Sequence, residues 1–394
     1  MKMLSRTFST LIVATLAAAQ SGQKPLSGDS QTLRFENHDN VPGFNLNLDE
    51  LRLVQFSPDG EPEWVTEREK LQAKAMGRDY MDITDAPFLG TVSEKPTFSY
   101  PPPNSTIVAE ILPLLSTAEL KANLEHLTSY HTRYYNSDTG KAASDWLYAK
   151  ILAYTAELAS EEQKPFISVE SLKHPWKQNS IIIRIAPPEA LDAPTTVLGA
   201  HIDSLNGKNP FGAAPGAGDD GSGTVAMLEA YRGLLVAGYI PVSPLEFHLY
   251  AGEEGGHLGS QAIASSYEAA GKIVRGMMQF DMTAFYKAGT REEIAVLTNT
   301  VDNTLGDFLI LVIERYLDIP WVRDAYPPFA SSDDASWRKA GYQTCHPLEA
   351  QFKNTNPHVH SPDDRIDISP EFSFDHILHF SKLAVAFAIE MSSY

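Results

Sequence analysis

The stretch from Gly199 to Gly223 constrains the fold of this chain more than any other. An apolar run over Thr195–Ala200 predicts a buried strand, which ends on His201 and Asp203. A loop rich in glycine and proline follows, and Asp219-Asp220-Gly221-Ser222-Gly223 then opens an amphipathic segment. Imidazole and carboxylate groups together suit a borderline divalent ion such as zinc, with Asp203 free to orient the ring of His201 from behind. Taken alone, the stretch also fits a hydrogen-bonded histidine at a strand end beside an acidic turn.

Short apolar runs alternate with helical patterns along most of the chain. Strands are predicted over Leu51–Phe56, Ile181–Ile185, Thr195–Ala200, Pro244–Ala251, Met277–Asp281 and Ala295–Thr298. Helices are predicted over Thr66–Met76, Thr117–Tyr130, Ser144–Leu158, Thr224–Tyr239, Ser260–Ala269, Asp307–Leu317 and Phe374–Met391. Such alternation predicts an α/β fold, with one globular domain built on a mostly parallel central sheet that is flanked by helices.

The N-terminus has the pattern of a secretory signal peptide. Lys2 and Arg6 precede an apolar run, Leu11–Ala19, that is too short to span a bilayer. We therefore expect residues 1–19 to be removed and the protein to be secreted into the extracellular space. A buried N-terminal helix is the structural alternative.

Composition narrows the possible partners. The formal net charge of −19 argues against a nucleic-acid partner and against an anionic membrane surface. Cys345 is the only cysteine, so no intrachain disulfide can form. Asn104-Ser105-Thr106 is an N-glycosylation sequon, which makes Asn104 a candidate glycosylation site.

Residues 20–95 form an acidic segment with eight basic and fourteen acidic residues. A capping-box pattern at Thr66–Glu69 indicates that part of it is folded. Prolines crowd residues 86–103, which predicts an exposed boundary there. Between a signal peptide and a larger domain over 96–394, this segment is predicted to be a propeptide; a permanent accessory domain is the alternative.

Acidic and imidazole side chains follow several of the predicted strands. Glu253-Glu254 and Asp281 come at two strand ends, and His360 lies in a later loop. In open α/β sheets, ligands bind beyond the carboxyl ends of the strands, so these groups should share one rim. Like charges that close repel one another unless a cation intervenes. Asp219, Glu253, Glu254 and Asp281 together with a hydroxide carry a charge of about −5. Two zinc ions would leave about −1 over such a site and one zinc about −3, so the residues favour two.

Six motifs in this order resemble the zinc exopeptidases of peptidase family M28, and most of all the secreted leucyl-type aminopeptidases of fungi and marine bacteria. The motifs are His201-Ile202-Asp203, Pro215-Gly216-Ala217-Gly218-Asp219-Asp220-Gly221-Ser222-Gly223, Glu253-Glu254 with Gly259-Ser260, Asp281-Met282-Thr283, Ser332-Asp333 with Ala335-Ser336-Trp337, and Asn356-Pro357 with His360. The resemblance runs from about Phe98 to the C-terminus, and Asp82-Ile83-Thr84 also resembles propeptides of that group.

The resemblance implies a role for each matched residue. Terminal ligands to two zinc ions are implied at His201, Asp281, Glu254 and His360, the first two sharing one metal and the last two the other. Asp219 is implied as the bridging ligand. Glu253 resembles the general base, and Asp203 the partner that orients His201 from behind.

Some positions depart from the family pattern. Gly218 stands where the family often has a third aspartate, and Ser332-Asp333-Asp334 stands for its Ser-Asp-His. Phe329 replaces a tyrosine that is thought to steady the tetrahedral intermediate in relatives, and the cysteine pair that is common near this loop is absent. His257 and His358 are interpreted as loop histidines rather than ligands.

Substrate preference is inferred from four apolar positions that resemble the family's side-chain pocket: Met282, Leu348, Phe352 and Val359. They suit a first residue of leucine or phenylalanine size. The expected activity is that of a monomeric, di-zinc aminopeptidase acting on peptide or protein N-termini. Three alternatives remain: a one-zinc glutaminyl cyclase of the same fold, a carboxypeptidase with basic groups for the substrate carboxylate, and a non-catalytic binding ectodomain.

Overall fold

The structure is a computed structural model that describes residues 41–58, 60–91, 94–328 and 330–394. The predicted signal peptide and Phe329 lie outside the described residues. The described helices are α1 (Glu67–Ala75), α2 (Ile107–Ile111), α3 (Thr117–Leu127), α4 (Asp138–Leu158), α5 (Gly223–Val236), α6 (Leu258–Ala269), α7 (Asn303–Tyr316), α8 (Asp334–Lys339) and α9 (Phe374–Ser392). The described strands are β1 (Leu51–Gln55), β2 (Glu63–Thr66), β3 (Met81–Asp82), β4 (Ile167–Leu172), β5 (Ser180–Ile185), β6 (Thr195–His201), β7 (Leu245–Tyr250), β8 (Val274–Gln279), β9 (Ile294–Leu297), β10 (Trp321–Asp324), β11 (Thr344–Cys345) and β12 (Pro347–Leu348).

The largest sheet within the described residues has the order β11-β8-β6-β7-β5-β4. Strands β11, β8, β6 and β7 run parallel to one another, whereas β5 is antiparallel to both β7 and β4. The α/β prediction is therefore confirmed, and the sheet is mixed: four of its six strands, β11 to β7, are parallel, whereas β5 and β4 add antiparallel pairing at one edge. A short loop suffices to join β4 to β5 because antiparallel neighbours need no helical crossover.

Alternate residues of β6 point into two separate apolar layers. Leu198 and Ala200 join the large core with α5 and α9, whereas Val197 joins a second cluster around Trp337 of α8. This alternation is the period-two pattern of a strand that is buried on both faces. Helices therefore cover both faces of the sheet, as the sequence predicts, and the carboxyl end of β6 is left free to carry functional groups.

Residues 41–91 contain a three-stranded sheet, β2-β1-β3, and α1. The predicted capping box is present, since the Thr66 hydroxyl accepts from the Glu69 amide while Glu69 Oε2 accepts from the Thr66 amide. Further along, Ala86 and Leu89 are buried in the Trp337 cluster. The segment thus packs against the rest of the chain through apolar side chains.

Among the described residues, no helix combines the length and the apolar character needed to cross a bilayer. Cys345 is buried with a free thiol, and Asn104 is exposed at the surface. Exposure of Asn104 is compatible with the predicted glycosylation, which stays a prediction.

Candidate metal centre

His201 occupies the last position of β6, fully buried, with carboxylates on both sides of its ring. Its Nδ1 lies 3.5 Å from Asp203 Oδ1, and its Nε2 lies 3.1 Å from Asp219 Oδ1 and 3.6 Å from Asp281 Oδ2. Burial lowers the pKa of His201, but the carboxylates of Asp203, Asp219 and Asp281 outweigh it and hold the pKa well above its usual value. The strand end thus places one imidazole among three acids, as the sequence predicts.

Asp219 lies between two histidines. Its Oδ1 faces His201 Nε2 at 3.1 Å, and its Oδ2 faces His360 Nε2 at 2.9 Å. Burial raises the pKa of Asp219, yet the two imidazoles more than offset this and lower it well below the usual value. One carboxylate with one oxygen toward each of two other ligands has the arrangement that a bridging ligand requires.

Glu254 completes the group on the His360 side. Its Oε2 lies 3.2 Å from His360 Nε2, and the two share Asp219 as a neighbour. The described residues contain three groups of possible metal ligands: His201 with Asp220 and Asp281, Asp219 with Glu254 and His360, and Asp79 with Glu253 and His257. The first two groups contain the residues that the resemblance implies as ligands.

The donor set fits divalent cations. Neither ring nitrogen of His201 and neither carboxylate oxygen of Glu254 makes a hydrogen bond within the described part of the chain, although all four atoms are buried. The nearest polar neighbours of these atoms are other candidate ligands and Lys74, and buried imidazole and carboxylate groups gathered in this way are typical zinc ligands. The residues present therefore have unused coordination capacity where the resemblance implies metal.

Buried carboxylates fix the backbone that carries these ligands. Asp203 accepts from the amides of Glu253 and Glu254, at 3.0 and 3.1 Å, and so joins the ends of β6 and β7. Asp364 accepts from the amides of Gly218 and Asp219, at 2.9 and 3.0 Å. Because these carboxylates satisfy pairs of adjacent backbone donors, they hold the ligand-bearing loops at fixed positions.

Asp220 differs from Asp219 in its partners. Its two oxygens accept from the backbone amides of His201, at 3.1 Å, and Gly223, at 3.0 Å. Asp220 therefore connects β6 to the start of α5, and we assign it to the scaffold although it lies close enough to His201 and Asp281 to count among the possible ligands.

The space beside Gly218 explains why this chain tolerates glycine where the family often has aspartate. A Cβ at this position would lie 2.6 Å from Asn356 Nδ2 and 3.1 Å from Asp364 Oδ1. A side chain here would displace the carboxylate that holds the Asp219 amide. Glycine at this position therefore leaves room for Asp364, whose position far downstream gave no sequence signal.

Asp281 comes two residues after β8 and is held from both ends. The Ser332 hydroxyl donates to its Oδ2 at 2.6 Å, and its backbone carbonyl lies 2.6 Å from His346 Nε2. His346 in turn lies 3.4 Å from Asp334 through Nδ1. The Ser332–Asp334 motif thus positions Asp281, with Asp334 acting through His346.

Glu253 is buried beside the candidate ligands. Its Oε1 lies 3.1 Å from His257 Nε2, and its Oε2 lies 3.9 Å from Lys74 Nζ. Burial raises the pKa of Glu253, although Lys74 and His257 lower it in part. A carboxylate with a raised pKa close to the metal ligands has the properties of a general base.

Lys74 reaches this rim from the predicted propeptide. Its ammonium lies 3.2 Å from Glu254 Oε2 and 3.0 Å from Asp79 Oδ1 of its own segment. Two neighbouring contacts support it, since Lys70 Nζ donates to the carbonyl of Gly255 and Gln261 donates to the carbonyl of Asp82. Sequence reasoning missed these contacts because the partners lie more than a hundred residues apart.

The four predicted pocket residues lie in two places. Met282 and Val359 adjoin Asp281 and His360 and are partly exposed, whereas Leu348 is fully buried in an apolar cluster against which Phe352 packs. A separate cavity of about 470 Å³ is lined by His257, Ser331 and residues of 55–81, and none of the four contributes to its described lining. Their role in substrate binding stays a prediction.

Comparison with known proteins identifies the family of the chain. The model of peptidase family M28 matches residues 180–385. Leucine aminopeptidase 1 of Grosmannia clavigera is 43% identical over 356 residues, which cover 86% of this chain and 85% of that protein. Leucine aminopeptidase 1 of Fusarium vanettenii is 40% identical over 362 residues, with 89% of each chain covered.

A solved structure extends the agreement to the fold. The LapA aminopeptidase of Legionella pneumophila superposes with a TM-score of 0.76 at 27% identity, covering 88% of this chain and 94% of that one. The match extends beyond the six motifs to most of the chain. The family model matches about half of the chain, and the two fungal relatives align with most of it. The chain therefore belongs to peptidase family M28 and is an aminopeptidase.

Proposed function

We propose that this protein is a secreted di-zinc aminopeptidase that removes leucine or another bulky apolar residue from peptide N-termini. The observation that carries the proposal is the Asp219 carboxylate, which directs one oxygen toward His201 and the other toward His360. That arrangement supports one metal held by His201 and Asp281, a second held by Glu254 and His360, and Asp219 between them. Secretion is supported by the signal-like N-terminal sequence.

Glu253 performs the proton transfers in this proposal. When bound, two zinc ions polarise the scissile carbonyl and acidify a water molecule. Glu253 accepts a proton from the attacking water and returns it to the leaving amine. Its burial matches this task because a raised pKa makes a carboxylate a stronger base and a usable acid near neutral pH.

Specificity for a free N-terminus follows from the charge at the rim. The carboxylates of Asp219, Glu254 and Asp281 can attract the α-ammonium group of a substrate. Bound metal would neutralise only part of their negative charge. A carboxypeptidase would need basic side chains to bind a substrate carboxylate, and the six motifs contain neither lysine nor arginine. The apolar side chains of Met282 and Val359 beside the ligands support a preference for an apolar first residue.

A panel of aminoacyl chromogenic amides tests the proposed function. The purified processed protein should release chromophore fastest from the leucyl or phenylalanyl amide, because an apolar pocket gains free energy from apolar side chains. A chelator should abolish this activity, and added zinc should restore it. Cyclisation of N-terminal glutamine with no amide hydrolysis would instead support a glutaminyl cyclase, and a protein inactive in both assays would support a binding role.

We further propose that residues 20–95 are an inhibitory propeptide. The support is Lys74, whose ammonium stands beside Glu254 and Glu253 where a substrate N-terminus would have to approach. Burial lowers the pKa of Lys74, but Asp79, Glu253 and Glu254 raise it well above its usual value, so the side chain is cationic. Release of the segment removes this competing charge from the rim.

A further inference from the structure

His257 occupies a position that its sequence context does not reveal. It is fully buried at the start of α6 and has a φ of 58°, in the left-handed region that side chains other than glycine seldom adopt. Its backbone amide donates to the carbonyl of Glu253 at 2.8 Å, and its own carbonyl accepts from Gln261 at 3.0 Å. The backbone of His257 is therefore fixed one turn after Glu253.

The imidazole of His257 faces one of the two carboxylate oxygens of Glu253. Nε2 lies 3.1 Å from Glu253 Oε1, whereas the other carboxylate oxygen, Oε2, lies on the side of Lys74, whose ammonium also contacts Glu254. A contact to Oε1 therefore leaves Oε2 as the oxygen that shares a neighbour, Lys74, with the candidate ligand Glu254.

Other neighbours of Nε2 are less favourable partners. Asp79 Oδ2 is 3.8 Å away and already accepts from the Ser331 hydroxyl at 2.6 Å, while Ser331 Oγ itself is 3.3 Å from Nε2. Asp79 also belongs to the proposed propeptide and would leave with it. In the uncleaved chain, burial lowers the pKa of His257, but hydrogen bonding to Asp79 and Glu253 raises it to about 10. Donation from Nε2 to Glu253 does not depend on Asp79, because a neutral imidazole also carries one N–H.

We propose that His257 is a positioning residue that holds the Glu253 carboxylate with Oε2 toward the reacting water. This inference rests on the proposed aminopeptidase function. A glutamate side chain has three rotatable bonds, and a base that drifts by about 1 Å can lose about 10²-fold in rate. A fixed, buried donor at Oε1 removes that freedom without contacting the substrate.

The test compares His257→Leu with His257→Gln in the processed, zinc-loaded protein. Leucine removes the donor, whereas glutamine keeps an N–H at similar reach, and both place a Cβ at the same left-handed backbone position. For His257→Leu we expect kcat to fall by about 10²-fold with KM and zinc content nearly unchanged. For His257→Gln we expect most of kcat to return.

Two further measurements separate positioning from a structural effect. On a Glu253→Gln background, His257→Leu should cause little additional loss of kcat, because the group it positions is already disabled. In the metal-free protein labelled with ¹⁵N-histidine, Glu253→Gln should shift the resonance of His257 Nε2. This second readout requires neither activity nor a foldable His257→Leu variant.

Normal kcat in His257→Leu, an additive loss on the Glu253→Gln background, or an unshifted Nε2 resonance would each overturn the inference. These outcomes differ from failure of the proposed function, in which the wild-type protein itself hydrolyses no aminoacyl amide.

Discussion

Glu253→Gln is expected to lower kcat by about 10²–10⁴-fold while the protein keeps its full zinc content. Glutamine preserves the size of the side chain and can still contact His257, but it cannot accept the proton of the attacking water. The neighbouring substitution Glu254→Gln should behave differently, because Glu254 faces His360 as a candidate ligand and its loss should release metal.

The measurement combines steady-state kinetics on a leucyl amide with elemental analysis of each variant. Glu157→Gln is the matched control, since Glu157 is exposed on α4 and should change neither kcat nor zinc content. Near-normal turnover in Glu253→Gln would show that the general base is elsewhere.

Cleavage within residues 86–103 is expected to raise activity about 100-fold, if the docked segment opens in about 1% of uncleaved molecules. The segment contacts the rim through Lys74 and packs Ala86 and Leu89 into the Trp337 cluster, so spontaneous opening should be rare. Activity measured before and after limited proteolysis, together with N-terminal sequencing of the secreted protein, tests this expectation.

Lys74→Met in the uncleaved chain tests how much the positive charge of Lys74 contributes to inhibition. Removing one partner of a buried ion pair weakens the docking of the segment, so this variant should show partial activity before cleavage. Lys121→Met, at an exposed helical ion pair, is the control and should remain as inactive as the parent chain. A fully active protein that still begins near Gln20 would instead identify the segment as a permanent lid.

Periodicity predicted the central elements well because their side chains are buried. Every residue of β6 and β7 is buried, and most residues of α9 are buried too. The apolar residues of each run are therefore enough to predict the element that it forms. Strand β4 was missed because its side chains are half exposed at the edge of the sheet. Helix α4 begins at Asp138 rather than at Ser144, since its first turn is polar and is capped by the Ser137 hydroxyl.

In the candidate site, too, residues within local motifs were predicted and residues that act through distant partners were missed. His201, Asp219, Glu253, Glu254 and Asp281 lie in motifs that follow or precede regular elements, and the structure brings them together with His360. Asp364, Lys74 and Asp79 have no motif of their own, because their importance comes from partners that are distant in sequence. His257 was interpreted as a loop histidine because nothing local indicates that its ring turns back toward Glu253.

Metal stoichiometry tests the central claim most directly. Processed, active protein should be dialysed against metal-free buffer, analysed for zinc by elemental analysis, and then titrated with zinc while activity on a leucyl amide is followed. The arrangement of Asp219 between His201 and His360 predicts two tightly bound zinc ions per chain, with full activity restored only at the second equivalent. Full activity with a single tight zinc per chain would contradict the two-metal account.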